Sequence, residues 1–121
     1  MSLKTRIASK EWLMPEDLAE LFEQEPEVGM ELIQIFLTDA NARLLDLEDA
    51  CRAGRQDDIH RLAHRLRGSC NQFGAVTAIP LLQEMELNPH HNLYEELKRE
   101  LAGLQTAMEA WMEDRRTGRS W

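Results

Sequence analysis

Apolar residues recur at spacings of three and four along almost the whole chain, and nowhere alternate with period two for long enough to make a strand. That rhythm is the signature of helices with one apolar face, and such faces must be buried against one another. Proline, glycine and asparagine punctuate the pattern. Pro15 opens a short helix carrying Leu18, Leu21 and Phe22, with Pro26 after its end. A second helix is predicted from about Glu27 to Ala53, with a stripe of Ile33, Phe36 or Leu37, Ala40, Leu44, Leu47 and Cys51, stopped at Gly54. A third should span about Asp57 to Phe73. Its stripe is Ile59, Leu62 with Ala63, Leu66, Cys70 and Phe73; Asp57 and Asp58 suit its positive end, and Gly74 its close. A fourth covers about Thr77 to Leu87, with Thr77 as cap and Ile79, Leu82 and Met85 inward. Pro80 restricts that helix to a late start, and Asn88-Pro89 ends it. Asn92 with Glu95 three residues on reads as the N-cap of a last helix that carries Tyr94, Leu97, Leu101, Leu104, Met108 and Trp111.

Four such helices with short connections predict an all-α, antiparallel four-helix bundle with a short extra N-terminal helix. The length of 121 residues fits a single domain, with a core at about 12–114 and flexible stretches at 1–10 and 115–121. It is too short for an ATP-binding catalytic domain plus anything else, so any phosphate chemistry is expected to use a donor from outside. The 14 basic residues against 22 acidic ones, a net charge of −8, argue against nucleic acid as a partner. No apolar run approaches the roughly 18 residues of a membrane span, and residues 1–10 lack a signal-peptide core. Two cysteines fit reduced thiols better than a disulfide scaffold. A cytoplasmic monomer is the expectation, with no metal or disulfide needed for folding.

The charge is unevenly spread. Residues 11–49 hold twelve acids and one base, Arg43, whereas residues 50–79 hold five arginines against Asp57 and Asp58. On a helical projection of the third helix, His64 falls about 140° from the centre of the apolar stripe. His60 lies a turn before it, and Arg67 and Asn71 follow on the same side. Arg61 and Arg65 lie further round. Gly68 is unusual, because a glycine inside a helix costs about 1 kcal/mol relative to alanine. Helical side chains lean toward the N-terminus, so a side chain at 68 would partly cover His64. A bare hydrogen there leaves the imidazole open to a partner.

A histidine with an ordinary pKa near ~6.5 is largely neutral at pH 7 and offers one ring nitrogen as a nucleophile. Arg67 beside it disfavours the imidazolium, and its guanidinium can pair with the oxygens of a phosphoryl group once one is attached. Arg61 and Arg65 would steer an acidic partner surface, chiefly by raising the association rate.

The run Ala63-His64-Arg65-Leu66-Arg67-Gly68-Ser69-Cys70 with the later Gly74-Ala75 resembles the signature of histidine-containing phosphotransfer domains. Ala78, Leu82, Met85 and Glu86 occupy the downstream positions of that signature, and Phe36-Leu37 is similar to the pair that begins the family's core. The resemblance implies that His64 is phosphorylated, that Arg67 assists and that Gly68 gives access. The implied function is a phosphorelay intermediate, a carrier without its own turnover. It would exchange a phosphoryl group with an aspartate of a response-regulator receiver domain, or take one from a sensor histidine kinase, hybrid or separate. No cofactor is implied on this chain; Mg²⁺ belongs to the receiver. His60, Arg61, Arg65 and Asn71 are the expected partner-binding residues.

The same residues admit other readings. A module that binds a receiver or kinase without carrying phosphate is the alternative, although it would not need His64. His60 and His64 have the four-residue spacing of metal ligands but lack a third ligand on their helix, and no metal site is expected. His90 and His91 read as loop residues. Cys51 and Cys70, both on apolar stripes, are expected to be buried free thiols, with Cys70 turned away from His64. Trp12 and Trp111 are expected in packing, and Trp121 is uninformative.

Overall fold

The computed structural model describes residues 6–7, 9–89 and 93–117. Two short strands, β1 (Arg6–Ile7) and β2 (Leu13–Met14), pair antiparallel, Arg6 opposite Met14 and Ile7 opposite Leu13. Five helices follow: α1 (Glu16–Gln24), α2 (Pro26–Ala53), α3 (Gln56–Phe73), α4 (Ala78–Leu87) and α5 (Tyr94–Arg116). α2 packs against α3, α3 against α4, α4 against α5, and α5 back against α2. The four long helices therefore close a ring, and α1 lies on α2. This is the helical bundle read from the spacing of apolar residues.

The ring is filled by the predicted stripes. Ile33, Leu47, Ala63, Leu66, Cys70, Leu82, Met85, Leu97, Leu104 and Met108 are all buried. One end is sealed by aromatic rings: Phe22 of α1 stands 4.8 Å from Trp111 and 6.3 Å from Trp12, centroid to centroid. Gly29 makes this seal geometrically possible, since a Cβ there would lie 2.9 Å from the Phe22 ring. Trp12 is fully buried, and its indole N–H donates to the Phe73 carbonyl at 2.9 Å.

Trp12 belongs to a strap that crosses the turn between α3 and α4. The Leu13 N–H donates to the Gly74 carbonyl at 2.9 Å, and the Val76 N–H to the Glu11 carbonyl at 3.1 Å. Gly74 closes α3 in the left-handed region, with φ of 79°. A Cβ at that position would sit 1.8 Å from the Leu13 carbonyl oxygen. The Gly-Ala pair of the signature thus has a structural duty: Gly74 lets the strap touch the turn, and Ala75 is buried beneath it.

Several local expectations need correction. The β1–β2 ladder leaves no mark in the sequence pattern, because two residues per strand are too few to show an alternation. Thr77 does not cap α4; its hydroxyl is buried without a hydrogen-bond partner, and the residue itself is already helical in φ and ψ. Pro80, by contrast, stands where it was expected, in the first turn of α4, where a missing N–H breaks no helical bond. Cys51 is only half-buried, and Ala50 takes the inward position at that turn of α2. α5 runs on through Arg115 and Arg116, where a flexible end was expected. Leu93 stands at the N-cap position of α5 without a side-chain cap. Asn92, His90, His91 and Trp121, like most of the stretches 1–10 and 115–121 expected to be flexible, lie outside the described residues.

Candidate functional site

α3 buries Leu62, Ala63, Leu66 and Cys70, so the geometry of the helix turns His64 outward. Its side chain is 64% exposed. One turn on, nothing lies within 4 Å of where a Cβ on Gly68 would be, so the space beside the imidazole is open. His60 and Asn71 are exposed on neighbouring turns.

The ring is held from the neighbouring helix. α4 runs back along α3, and Glu86, near its end, meets His64 with one carboxylate oxygen: Oε1 is 2.7 Å from His64 Nδ1. An ionised carboxylate only accepts, so Nδ1 is the donor and carries the hydrogen. Nε2, the other ring nitrogen, then keeps its lone pair. Arg67 donates from Nε to Glu86 Oε2 and from Nη2 to Oε1, the latter at 3.2 Å. Arg67 Nη2 also lies 3.3 Å from His64 Nδ1, a contact between two donors and hence not a hydrogen bond. His60 adds a further tie, with Nδ1 2.8 Å from the Glu86 backbone carbonyl, one of the acceptors that a helix end leaves unpaired.

Arg67 does not stand beside the ring alone. A bare guanidinium beside the ring would favour neutral imidazole, but here its charge is paired with a carboxylate that also binds the ring. The Arg67 guanidinium is the main cause that holds the Glu86 carboxyl below its ordinary range, with His64 contributing and partial burial opposing. The same pairing raises the Arg67 guanidinium. Both shifts describe one ion pair at the foot of the imidazole.

The wider basic rim is thinner than the sequence suggests. Arg61 donates to Asp58 at 3.3 Å, and Arg55 to the same carboxylate at 2.9 Å. Arg65 is exposed and has no ion pair among the described residues. Leu87, next to Glu86, is 77% exposed and puts an apolar side chain beside the same surface. Asn71 is not part of the cluster of His64, Arg67 and Glu86. Burial pushes the Cys70 thiol up to about 12 and raises that of Cys51, so neither is an activated nucleophile. Among the described residues, no group of three or more His, Cys, Asp or Glu is placed to hold a metal ion.

Glu86 is the residue that helix projection missed. A projection shows which residues share a face of one helix but not which residues meet across two. The signal was in the turn: His64 stands eleven residues before Ala75 and Glu86 eleven after it, so an antiparallel α3–α4 pair sets them level.

Comparison with known proteins gives a consistent result. The family model described as the Hpt domain matches residues 31–114. Among solved structures, the fold is similar to the crystal structure of histidine-containing phosphotransfer protein B from Pseudomonas aeruginosa PAO1. The two are 26% identical, with a TM-score of 0.76 over 87% of this chain and 97% of that one. No curated protein sequence matches the chain significantly. No helix among the described residues is long and apolar enough to cross a membrane. Because the family match spans well over half of its length, the chain belongs to the Hpt domain family, the phosphotransfer carriers that work with kinases and receiver domains in two-component signalling.

Proposed function

We propose that His64 is the residue that carries the phosphoryl group, and that Nε2 is the nitrogen that bears it. The observation that supports this most is the hydrogen bond from Nδ1 to Glu86, which commits the proton to the inner nitrogen and leaves the outer one nucleophilic. Donor and acceptor are proteins that reach this nitrogen in turn, which is why the site stands on an open helix face and not in a cleft. The donor is a phosphorylated aspartate of a receiver domain or the phosphohistidine of a kinase; the acceptor is a receiver aspartate. Mg²⁺ needed for the aspartate chemistry belongs to the receiver. The chain works as a carrier in the cytoplasm, with Arg65, Leu87, His60 and Asn71 facing the partner. Arg61, tied to Asp58, contributes to the long-range field more than to contact. The experiment is phosphoryl transfer from a matched, labelled receiver, compared with His64→Gln.

Gly68 and Arg67 have separable duties on this reading. In Gly68→Gln the new side chain leans over His64, and transfer should slow at least about tenfold while the melting temperature stays level or rises, since glycine is the poorer helix former. Normal exchange by a folded Gly68→Gln protein would refute the steric role. Arg67→Ala removes a charge-assisted bond to the phosphoryl oxygens, commonly worth about 1.5–3 kcal/mol, so transfer should slow by about 10- to 100-fold. Its receiver affinity, read by calorimetry, should change much less. Equal losses in rate and affinity would assign Arg67 to docking instead.

A further inference from the structure

Among the described residues, three of the four large apolar side chains left exposed lie on one helix and on one side of it. Val28, Ile35 and Leu45 all stand on α2, with Ile35 66% and Leu45 63% exposed. The fourth, Leu87, belongs to the surface beside His64. With the exposed Glu31, Thr38 and Ala42 the three form a line, Val28, Glu31, Ile35, Thr38, Ala42 and Leu45, whose steps alternate between three and four residues. We infer that this outward face of α2 is a docking surface for a helix of another protein, one that carries apolar residues at the same spacing between rows of Lys or Arg. It is a second interface, and it does not depend on which residue carries the phosphoryl group.

A single exposed leucine is ordinary, but a line of apolar side chains along a helix is not. Steps of three and four are the spacing of a coiled-coil seam, which one helix presents to another along its length. α2 already has a first stripe in the bundle core: Gly29, Ile33, Phe36, Ala40, Leu44 and Leu47 are buried. At 100° per residue the outer line lies about 160° round from them and runs for about 26 Å. Ile35 and Leu45 project from it as knobs. The small Thr38 and Ala42 between them leave a hollow that a partner's Leu or Ile can enter, a groove bordered by Glu31, Gln34 and Asp39. Thr38 and Leu45 also border grooves whose far walls include Thr106 and Lys98 of α5. The line therefore leans toward α5, away from α3 and His64.

Charge selects the occupant. α2 carries six acids and two bases. Arg43 is paired with Asp39 at 3.5 Å, and Arg52 with Glu48 at 3.4 Å. That leaves Glu27, Glu31, Asp46 and Asp49, all exposed and without an ion pair among the described residues, in or beside the apolar line. On the α5 side Arg116 is paired with Glu113 at 3.1 Å, so Lys98 alone opposes them. A second copy of this chain would set the same four acids against its own, and anionic lipid or nucleic acid would be repelled by them. A helix flanked by Lys or Arg is attracted instead, and its apolar seam takes Ile35 and Leu45 out of water. The acidic block at residues 11–49, which the phosphotransfer site leaves unused, gains a role in this way.

The test uses the full chain and two synthetic peptides of about three heptads, built from the same Leu, Ala and Lys residues. In one, Leu occupies the seam positions of every heptad; in the other, the order is scrambled. By calorimetry at low salt the seam peptide should bind at least about tenfold more tightly than the scrambled one. Ile35→Gln combined with Leu45→Gln should weaken it by about tenfold or more, with a melting temperature within about 2 °C of the wild type, because both side chains are exposed. Glu31→Lys combined with Asp46→Lys should weaken it by a similar factor through charge alone. Amide NMR shifts on binding should map to α2 between Val28 and Asp49 and leave the surroundings of His64 unmoved. Equal binding of the two peptides, full affinity in either double variant, or shifts centred on His64 would overturn the inference. So would dimerisation of the chain by itself that Ile35→Gln with Leu45→Gln abolishes, which would assign the face to a second copy. None of these outcomes bears on His64 as the phosphoryl carrier.

Discussion

A single methyl group at position 74 will cost this protein much of its stability. In Gly74→Ala the new Cβ must occupy a site 1.8 Å from the Leu13 carbonyl oxygen, at a backbone φ of 79°. The left-handed conformation alone costs an L-residue about 1–2 kcal/mol. The clash is with backbone, so it is relieved only by moving the strap. That loosens the Leu13–Gly74 and Glu11–Val76 bonds and draws Trp12 out of its seat under Phe73. Removing a large buried aromatic costs about 3–5 kcal/mol by itself, a large share of the 5–15 kcal/mol that holds a domain together. We expect thermal unfolding to fall by about 10 °C or more. Gly68→Ala is the control. Its Cβ meets nothing within 4 Å, and the gain in helix propensity should stabilise the protein by up to about 1 kcal/mol. Melting of Gly74→Ala within about 2 °C of the wild type would show that the strap is not anchored on this turn. The two glycines lie six residues apart in one motif, yet one serves the partner and the other the fold.

That contrast marks how far the sequence could be read. The stripes of α2, α3 and α5 were legible because each repeats over several turns, so one misplaced residue such as Cys51 for Ala50 does not shift the face. The outward turn of His64 was legible for the same reason: it is fixed by rotation about one helix axis. Partnerships across elements were not. Glu86 reaches His64 only through the register of α3 on α4, and the strap reaches Gly74 from more than sixty residues away. Thr77 shows the limit of capping patterns, since a hydroxyl placed to cap was instead turned inward. Arg67 was found by its charge and spacing, but its behaviour depends on Glu86, a residue on another helix.

His64→Gln should abolish phosphoryl transfer altogether, a loss of at least three orders of magnitude. Glutamine keeps a polar side chain on the exposed face and can still hydrogen-bond to Glu86, so fold and docking should change little. What it lacks is a nucleophilic nitrogen, and no neighbour supplies one. His60, a turn away, has the same tautomer because its Nδ1 donates to the Glu86 carbonyl. It lacks the Glu86 carboxylate on its ring, and the open space at Gly68 serves position 64. Residual label on His60 at a substantial rate would mean that exposure and tautomer suffice, and that the Arg67–Glu86 pair is dispensable. Receiver binding that survives in His64→Gln while transfer is lost would separate the chemistry from the docking surface.

The central claim is that one nitrogen of one histidine carries the phosphoryl group. It is tested most directly by phosphorylating the chain with a matched receiver, mapping the modified residue by mass spectrometry under alkaline conditions, and assigning the bonded nitrogen by phosphorus and nitrogen NMR. One acid-labile phosphoryl group is expected, on Nε2 of His64. A phosphoryl group on Nδ1, or on any residue other than His64, would contradict it.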